Sequence, residues 1–179
     1  NTMRDAMIAG IALNIFNNHA ERVKMANLAQ TINVLQAVIL TKGEKMIKTP
    51  TFHVMEMYKV HQDAQLIPLQ INSQSFVWNG EEIPAVSASA SKGQNGKTYV
   101  SLVNIDPKVA QKVELNLGGS YAGVSGRILT AKQLRDFNDF DGANRIQPQA
   151  FSGAKLSKER LSVSLPPFSV VVLELNGKK

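Results

Sequence analysis

The sequence predicts a mixed fold, in which a helix–strand–helix segment is followed by an antiparallel β-sandwich. In the first third, apolar helical stretches flank a continuous apolar run, which is the order typical of α/β segments. Further on, short stretches of alternating apolar and polar residues are separated by glycine turns. We therefore expect two units, residues 1–63 and 64–179, that abut without a flexible linker.

The chain opens on a predicted helix over residues 3–17. Thr2 and Asp5 form a capping pair in front of it, because a hydroxyl and a carboxylate satisfy amide groups at the positive end of a helix. The helix is apolar on almost every side, so most of its surface must be covered by other elements. A second, short helix is predicted over Glu21–Leu28.

A nearly continuous apolar run follows at Ile32–Thr41 and ends before Gly43. A β-branched run without alternation indicates a strand that is buried on both faces, as in a parallel sheet. A further helix is predicted over residues 50–60, because Thr49 provides a cap and Pro50 suits the first helical position.

The rest of the chain is predicted to form short strands. Apolar residues at positions 86, 88 and 90 alternate with serines at 87, 89 and 91, and a turn signal follows at residues 93–96. The other predicted strands are Tyr99–Ile105, Lys112–Leu117, Val124–Leu129, Leu161–Leu165 and Ser169–Leu175. Strands at this spacing predict a sandwich or a barrel.

The composition limits the possible functions. With 44% hydrophobic and 19% charged residues among 179, the chain has the composition of a soluble globular protein, and no apolar run is long enough for a transmembrane helix. The net charge is +6, but the lysines and arginines are scattered and only 6% of the residues are aromatic, which disfavours nucleic-acid binding. The absence of cysteine excludes disulfides, thiolate catalysis and cysteine-bound zinc, and it leaves secretion, the periplasm and the cytoplasm open. The start at Asn1 has no signal-peptide pattern, and we expect it to lie inside a longer protein.

No metal or cofactor site is predicted. His53 and His61 are separated by about two helical turns, or roughly 12 Å, and His19 fits a helix end. The segment Asp136–Gly142 has acidic residues like a calcium loop, but Phe140 occupies a position where an EF-hand has a ligand.

Seven stretches of the chain carry a family resemblance. They are Arg4–Ala6, Asn14–Asn17, His19–Val23, Ala26–Val34, Thr49–His53, Met57–Asp63 and Leu165–Leu175. In this order they resemble family 51 of the glycoside hydrolases, the retaining α-L-arabinofuranosidases. The resemblance implies that residues 1–63 are the C-terminal end of a (β/α)8 TIM barrel and that residues 64–179 form a jelly-roll-like antiparallel β-sandwich.

The resemblance also implies an enzyme that hydrolyses terminal non-reducing α-L-arabinofuranosyl residues of arabinose-containing polysaccharides with retention. Such hydrolysis needs two carboxyl groups about 5–5.5 Å apart. In the family both are glutamates, in Asn-Glu and Asp-Glu-Trp contexts that this chain lacks, and its one tryptophan, Trp78, has no acidic residue before it. We therefore expect the catalytic pair to precede Asn1 and the chain to be inactive alone.

The acidic residues of the chain do not supply a replacement pair. Glu21 and Glu56 fall on predicted helices close to Arg22 and Lys59, where carboxylates are usually solvated charges. Glu81–Glu82 is a loop pair whose adjacent side chains point apart.

Gln30 and Asn33 are the candidate substrate-binding residues. They lie at the approach to the predicted buried strand, where an amide must find hydrogen-bond partners. The resemblance implies that a glutamine of the eighth-strand region binds arabinose, and Gln30 matches that position best. The alternative for both residues is that the side-chain amide only satisfies loop backbone.

A competing hypothesis is a non-catalytic carbohydrate-binding or structural sandwich module. A stacking platform for sugars would favour it, but Trp78 and the three tyrosines, Tyr58, Tyr99 and Tyr121, are far apart in the sequence. Under the leading hypothesis the partners are an arabinofuranosyl glycan, the missing N-terminal barrel of the same protein, and further copies of the complete protein in a homo-oligomer. No membrane or nucleic-acid partner is expected.

Overall fold

The computed structural model describes residues 1–29 and 31–177, in which two α-helices and thirteen strands are found. The helices are α1 (Met3–Asn18) and α2 (Pro50–Tyr58), and α2 continues into a 3₁₀ turn at Lys59–His61. The strands are β1 (Ile39–Lys42), β2 (Lys45–Lys48), β3 (Gln65–Ile67), β4 (Ser75–Trp78), β5 (Glu81–Pro84), β6 (Val86–Lys92), β7 (Thr98–Asn104), β8 (Gln111–Asn116), β9 (Tyr121–Leu129), β10 (Gln149–Ala150), β11 (Ala154–Ser157), β12 (Arg160–Leu165) and β13 (Ser169–Gly177). In the described part of the chain, no helix has the length and apolar character needed to cross a bilayer.

The first helix forms where the sequence predicts it. The backbone N–H and the hydroxyl of Thr2 donate to the Asp5 carboxylate at 2.7 and 2.9 Å, which confirms the capping pair. One stripe of the helix, with residues spaced by three or four, is buried against the rest of the molecule. It consists of Met3, Ala6, Met7, Gly10 and Asn14. The opposite side leaves Ile8, Ile15 and Phe16 exposed.

The antiparallel β-sandwich predicted for the second half is confirmed. The larger sheet has the order β10-β9-β13-β7-β6-β3, and the smaller sheet has the order β11-β12-β8. Ala88 of β6 is paired with Leu102 of β7, and both belong to the core between the sheets together with Val113 and Leu161 of the smaller sheet. Because side chains alternate along a strand, this core takes every second residue of β6, β7 and β13.

The other face of the larger sheet bears a second core, which the helices cover. Val103 of β7 and Val170 of β13 pack there with Met7 of α1 and Met57 of α2. The larger sheet is therefore buried on both faces, which explains why every residue of β7 is buried. The result is three layers: the helices, the six-stranded sheet and the three-stranded sheet.

Residues 21–48 differ from the prediction. The helix predicted over Glu21–Leu28 is wrong, since residues 23–28 contain neither helix nor strand. Met25 is 76% exposed, and a short segment without a buried face lacks the packing that stabilises a helix. The buried strand predicted over Ile32–Thr41 is also wrong. Only β1 forms there, and it pairs antiparallel with β2 because Gly43, at a φ of +57°, permits a tight turn between them.

This hairpin bears directly on the predicted fold class. A strand of a (β/α)8 TIM barrel runs parallel to its neighbours and is buried on both faces, whereas β1 is antiparallel and half-buried or exposed. The barrel segment expected in residues 1–63 is therefore not confirmed, and these residues form the helical layer and a hairpin beside the sandwich. The domain division between residues 63 and 64 stays a prediction.

Candidate functional site

The two candidate substrate-binding residues come between α1 and β1 in the sequence. Gln30 falls outside the described residues. Asn33 is exposed and adopts a φ of 54°, a left-handed conformation that asparagine tolerates better than most residues. Its side-chain oxygen accepts the backbone N–H of Thr41 at 2.8 Å, and its side-chain nitrogen donates to the Thr41 hydroxyl at 2.8 Å. These two bonds close the loop onto β1, so the Asn33 amide has a structural task, and its contact with substrate stays a prediction.

The segment that leads to Gln30 forms one wall of a groove of about 670 Å³. The opposite walls are the C-terminal half of α1 and the end of α2. The groove is lined by Leu13, Phe16, Asn17, Ala20, residues 23–27, Met55, Tyr58, Lys59 and residues 61–64. Aliphatic and aromatic side chains therefore mix with amides and one imidazole along its length.

A buried polar network underlies this groove and joins the helical layer to the larger sheet. The His61 ring contacts the Ser91 hydroxyl through Nδ1 at 2.7 Å and the Ser101 hydroxyl through Nε2 at 2.6 Å. The Tyr58 hydroxyl donates to Asn14 Oδ1 at 3.1 Å. Asn14 is fully buried, and buried amides of this kind are stable only when they are hydrogen-bonded.

The same asparagine reaches the serine face of β6. The Ser89 hydroxyl donates to Asn14 Oδ1 at 2.8 Å, and Asn14 Nδ2 donates to the Ser87 hydroxyl at 3.2 Å. The sequence predicted that these serines share one face of a strand, and the structure confirms it. No feature of the sequence indicates that a helix covers this face, because alternating serines are equally typical of a strand face in solvent.

Burial sets the charge state of this network. It lowers the pKa of His61 from the usual 6.5 to about 4, so the ring is neutral at neutral pH. Burial likewise raises the pKa of Tyr58, against the opposing effect of its hydrogen bonds to Ser101 and Asn14. A neutral imidazole whose two nitrogens are both held by hydroxyls is suited to fixing α2 on the sheet rather than to transferring protons to a ligand.

The acidic residues considered as catalytic candidates face cations or solvent. The Glu56 carboxylate contacts Arg127 at 2.8 Å and Lys59 at 3.7 Å. Glu21 lies 3.8 Å from Arg22 at the surface. Glu81 and Glu82 lie on the exposed strand β5 and not in a loop as predicted, and their side chains point to opposite faces as expected. A retaining glycosidase would instead bring two carboxyl groups to about 5–5.5 Å.

The segment Asp136–Gly142, whose acidic residues are like those of a calcium loop, has a structural role. Asn138 is 3% exposed; its side-chain nitrogen donates to the carbonyls of Lys48 and Ile146, and its oxygen accepts the Ile146 N–H at 2.8 Å. The Asp139 carboxylate is 3.3 Å from Arg145 and accepts the backbone N–H of Asp141 at 3.0 Å. The segment thus links β2 to the loop before β10.

The fold and the site together define a β-sandwich domain with a helical layer, whose candidate carboxylates are not arranged as a catalytic pair. Residues 1–169 match the family model of the α-L-arabinofuranosidase C-terminal domain. The chain therefore belongs to the α-L-arabinofuranosidase C-terminal domain family.

Several arabinofuranosidases are similar to the chain over almost its whole length. The chain is 44% identical over 177 residues to an intracellular exo-α-L-arabinofuranosidase of Bacteroides ovatus, and the match covers 98% of this chain and 34% of that protein. The crystal structure of the GH51 arabinofuranosidase from Xanthomonas axonopodis pv. citri matches with a TM-score of 0.96 and 41% identity, over 98% of this chain and 36% of that one. The arabinose complex of the α-L-arabinofuranosidase from Thermotoga maritima, at 22% identity and a TM-score of 0.83 over 97% of this chain and 38% of that one, shares the fold. The chain thus spans about a third of the length of these relatives.

Proposed function

We propose that this chain is the C-terminal third of a retaining exo-α-L-arabinofuranosidase that removes terminal non-reducing α-L-arabinofuranosyl residues from arabinose-containing polysaccharides. The observation that carries the proposal is the 44% identity to the Bacteroides ovatus enzyme across 98% of the chain. The catalytic glutamates belong to the preceding part of the protein, so this chain alone is inactive. The name of the same relative favours an intracellular location.

Residues 1–63 are the part that joins the absent barrel. Within this segment Ile15 is 51% exposed, Met25 is 76% exposed and Leu35 is 91% exposed, and residues 23–28 pair with no strand. Large apolar side chains that are exposed in this way are typical of a surface that another element covers. In the complete protein this segment packs against the barrel in the conformation described above, and the complete protein forms a homo-oligomer.

In the complete enzyme Gln30 binds the arabinose by a hydrogen bond that strengthens in the transition state. Loss of one such bond lowers turnover by roughly tenfold to a hundredfold, which corresponds to about 1.4–2.7 kcal/mol. Gln30→Ala should therefore lower kcat while the melting temperature stays unchanged. Asn33→Ala tests the second candidate: because its amide holds Thr41, a purely structural role should lower the melting temperature more than turnover. Unchanged turnover in Gln30→Ala would rule out the substrate contact.

The competing module hypothesis requires a sugar-binding face on the sandwich. The outer face of the smaller sheet carries charged and small polar side chains. They are Lys112, Glu114, Asn116, Lys155, Ser157, Arg160, Ser162 and Ser164. This face offers no ring on which a sugar could stack, which favours the hydrolase hypothesis. The residues encoded before Asn1 discriminate between the two, since an Asp-Glu-Trp segment there supports the hydrolase.

The activity itself is tested with the complete protein and an aryl α-L-arabinofuranoside. Release of the aryl group, with α-configured arabinose as the first product seen by NMR, supports the proposal. An inverted first product, or no hydrolysis by a folded protein, would contradict it.

A further inference from the structure

The loop between β9 and β10, residues 130–148, holds the start of α1. Its backbone carbonyls at Asp136 and Leu134 accept the N–H groups of Met3 and Arg4 at 2.9 and 3.0 Å. The first N–H groups of a helix have no partner within the helix itself, so their bonds to this loop satisfy them. The loop of the sandwich thus fixes the position at which α1 begins.

One side chain of the same loop reaches the hairpin of β1 and β2. Asn138 is 3% exposed, and its side-chain nitrogen donates to the carbonyl of Lys48, the last residue of β2, at 2.9 Å. The same nitrogen donates to the Ile146 carbonyl, and the side-chain oxygen accepts the Ile146 N–H, both at 2.8 Å. A buried amide that is bonded on both sides has a single orientation, so it fixes β2 relative to the loop.

Thr49 connects the end of β2 to the segment of residues 31–41. Thr49 is 1% exposed, and its N–H donates to the Val38 carbonyl at 3.0 Å. Its hydroxyl donates to the carbonyls of Ala37 and Val38 at 3.1 and 3.2 Å. Hydrogen-bonded groups therefore follow one another without a gap from the sandwich loop to this segment.

The segment contains one candidate substrate-binding residue and directly follows the other in the sequence. Asn33 is bonded through its side chain to Thr41 within the segment, and Gln30 precedes it. Groups that bind substrate act only within narrow limits of position, and a displacement of about 1 Å can lower a rate about a hundredfold. A buried contact that fixes the segment is therefore important for turnover as well as for stability.

We infer that Asn138 is a positioning residue for the hydrolysis of arabinofuranosides, through which the sandwich holds the segment of residues 31–41 in place. The inference rests on the proposed function, which supplies the reaction and the role of the segment. The sandwich then has a task in catalysis although it contributes no group that touches the substrate. Because the contacts are buried within the described chain, they do not depend on what covers its surface in the complete protein.

The complete protein provides the test, and Asn104 provides the matched control. Asn104 is also fully buried, and its side-chain nitrogen donates to the carbonyls of Val109, Leu165 and Pro166, which all belong to the sandwich. Asn138→Ala and Asn104→Ala should both lower stability. Their kcat and KM are therefore measured per folded molecule, at a temperature where circular dichroism shows that both variants are folded.

We expect Asn138→Ala to lower kcat on an aryl α-L-arabinofuranoside about tenfold with little change in KM, because a misplaced segment loses contacts made in the transition state. Asn104→Ala should retain the kcat of the parent. An equal kcat in the two variants would refute the inference.

Thr49 supplies a second test that leaves the Asn138 amide in place. Thr49→Val keeps the β-branched shape and loses the bonds to the Ala37 and Val38 carbonyls, whereas Thr49→Ser keeps the hydroxyl. We expect Thr49→Val to lower kcat in the same way as Asn138→Ala, and Thr49→Ser to retain it. A folded Thr49→Val variant with the kcat of the parent would contradict the inference. Hydrolysis by the unaltered complete protein tests the proposed function by itself, so that a failure of either claim is recognised separately.

Discussion

His61 makes the stability of the domain depend on pH. Burial lowers its pKa from 6.5 in the unfolded chain to about 4 in the folded chain. The unfolded state therefore binds the proton more tightly between these two values, and the free energy of unfolding falls as the pH falls from about 6.5 to about 4. Because each pH unit between these two pKa values corresponds to about 1.4 kcal/mol, the total loss is about 3–4 kcal/mol, of which about 3 kcal/mol is reached at pH 4. Above pH 6.5 the contribution is fully present, and below pH 4 the loss is complete.

The assay is urea unfolding followed by circular dichroism at several pH values between about 7.5 and 4. His61→Gln removes the titrating group and retains hydrogen-bonding capacity towards Ser91 and Ser101. We expect the parent chain to lose about 3 kcal/mol more than this variant over that range. His19→Gln, which removes an imidazole from the surface, is the matched control and should follow the parent. If the parent and His61→Gln lose the same stability, the assignment of a neutral, buried His61 is refuted.

Three further substitutions test the packing of the helical layer and its loops. Gly10→Ala should lower the melting temperature, because a Cβ at this position would lie 2.9 Å from Val103 Cγ2. The overpacking costs about 1–3 kcal/mol, which exceeds the gain in helix propensity. A higher melting temperature would contradict the close contact. Thr51→Val should raise the free energy of unfolding by about 1 kcal/mol, since the buried Thr51 hydroxyl has no hydrogen-bond partner among residues 1–29 and 31–177. A loss of stability in urea would contradict this expectation. Asn138→Ala should lower the free energy of unfolding by about 2–4 kcal/mol, because the buried N–H and C=O of Ile146 lose their hydrogen-bond partner. A loss under about 0.5 kcal/mol would show that water replaces the side chain.

Elements with strong local signals could be predicted from the sequence. The capping pair before α1, the proline that begins α2, and the alternation of β6 depend on neighbouring residues only, and all three are found. Residues 21–48 could not be predicted in the same way. Their apolar run is compatible with a buried barrel strand, but a strand of that kind needs parallel neighbours, and in the described chain the Gly43 turn favours a hairpin.

The residues of the candidate site could also be predicted only in part from the sequence. The resemblance pointed to Gln30, which lies outside the described residues, and to Asn33, whose amide is engaged by Thr41. The network around His61 and Asn14 was missed because its members are spread over residues 14–101 and only the fold brings them together. Three serines on one strand face were the sole local signal, and polar alternation does not reveal whether a helix covers that face.

We propose that this chain is part of an arabinofuranosidase and contributes no catalytic carboxylate to it. This proposal is tested most directly by incubating the folded 179-residue chain and the complete protein, each at the same molar concentration, with an aryl α-L-arabinofuranoside. We expect hydrolysis by the complete protein and a rate equal to that of buffer for the chain alone. Hydrolysis by the chain alone, abolished when one of its own acidic residues is replaced by its amide, would contradict it.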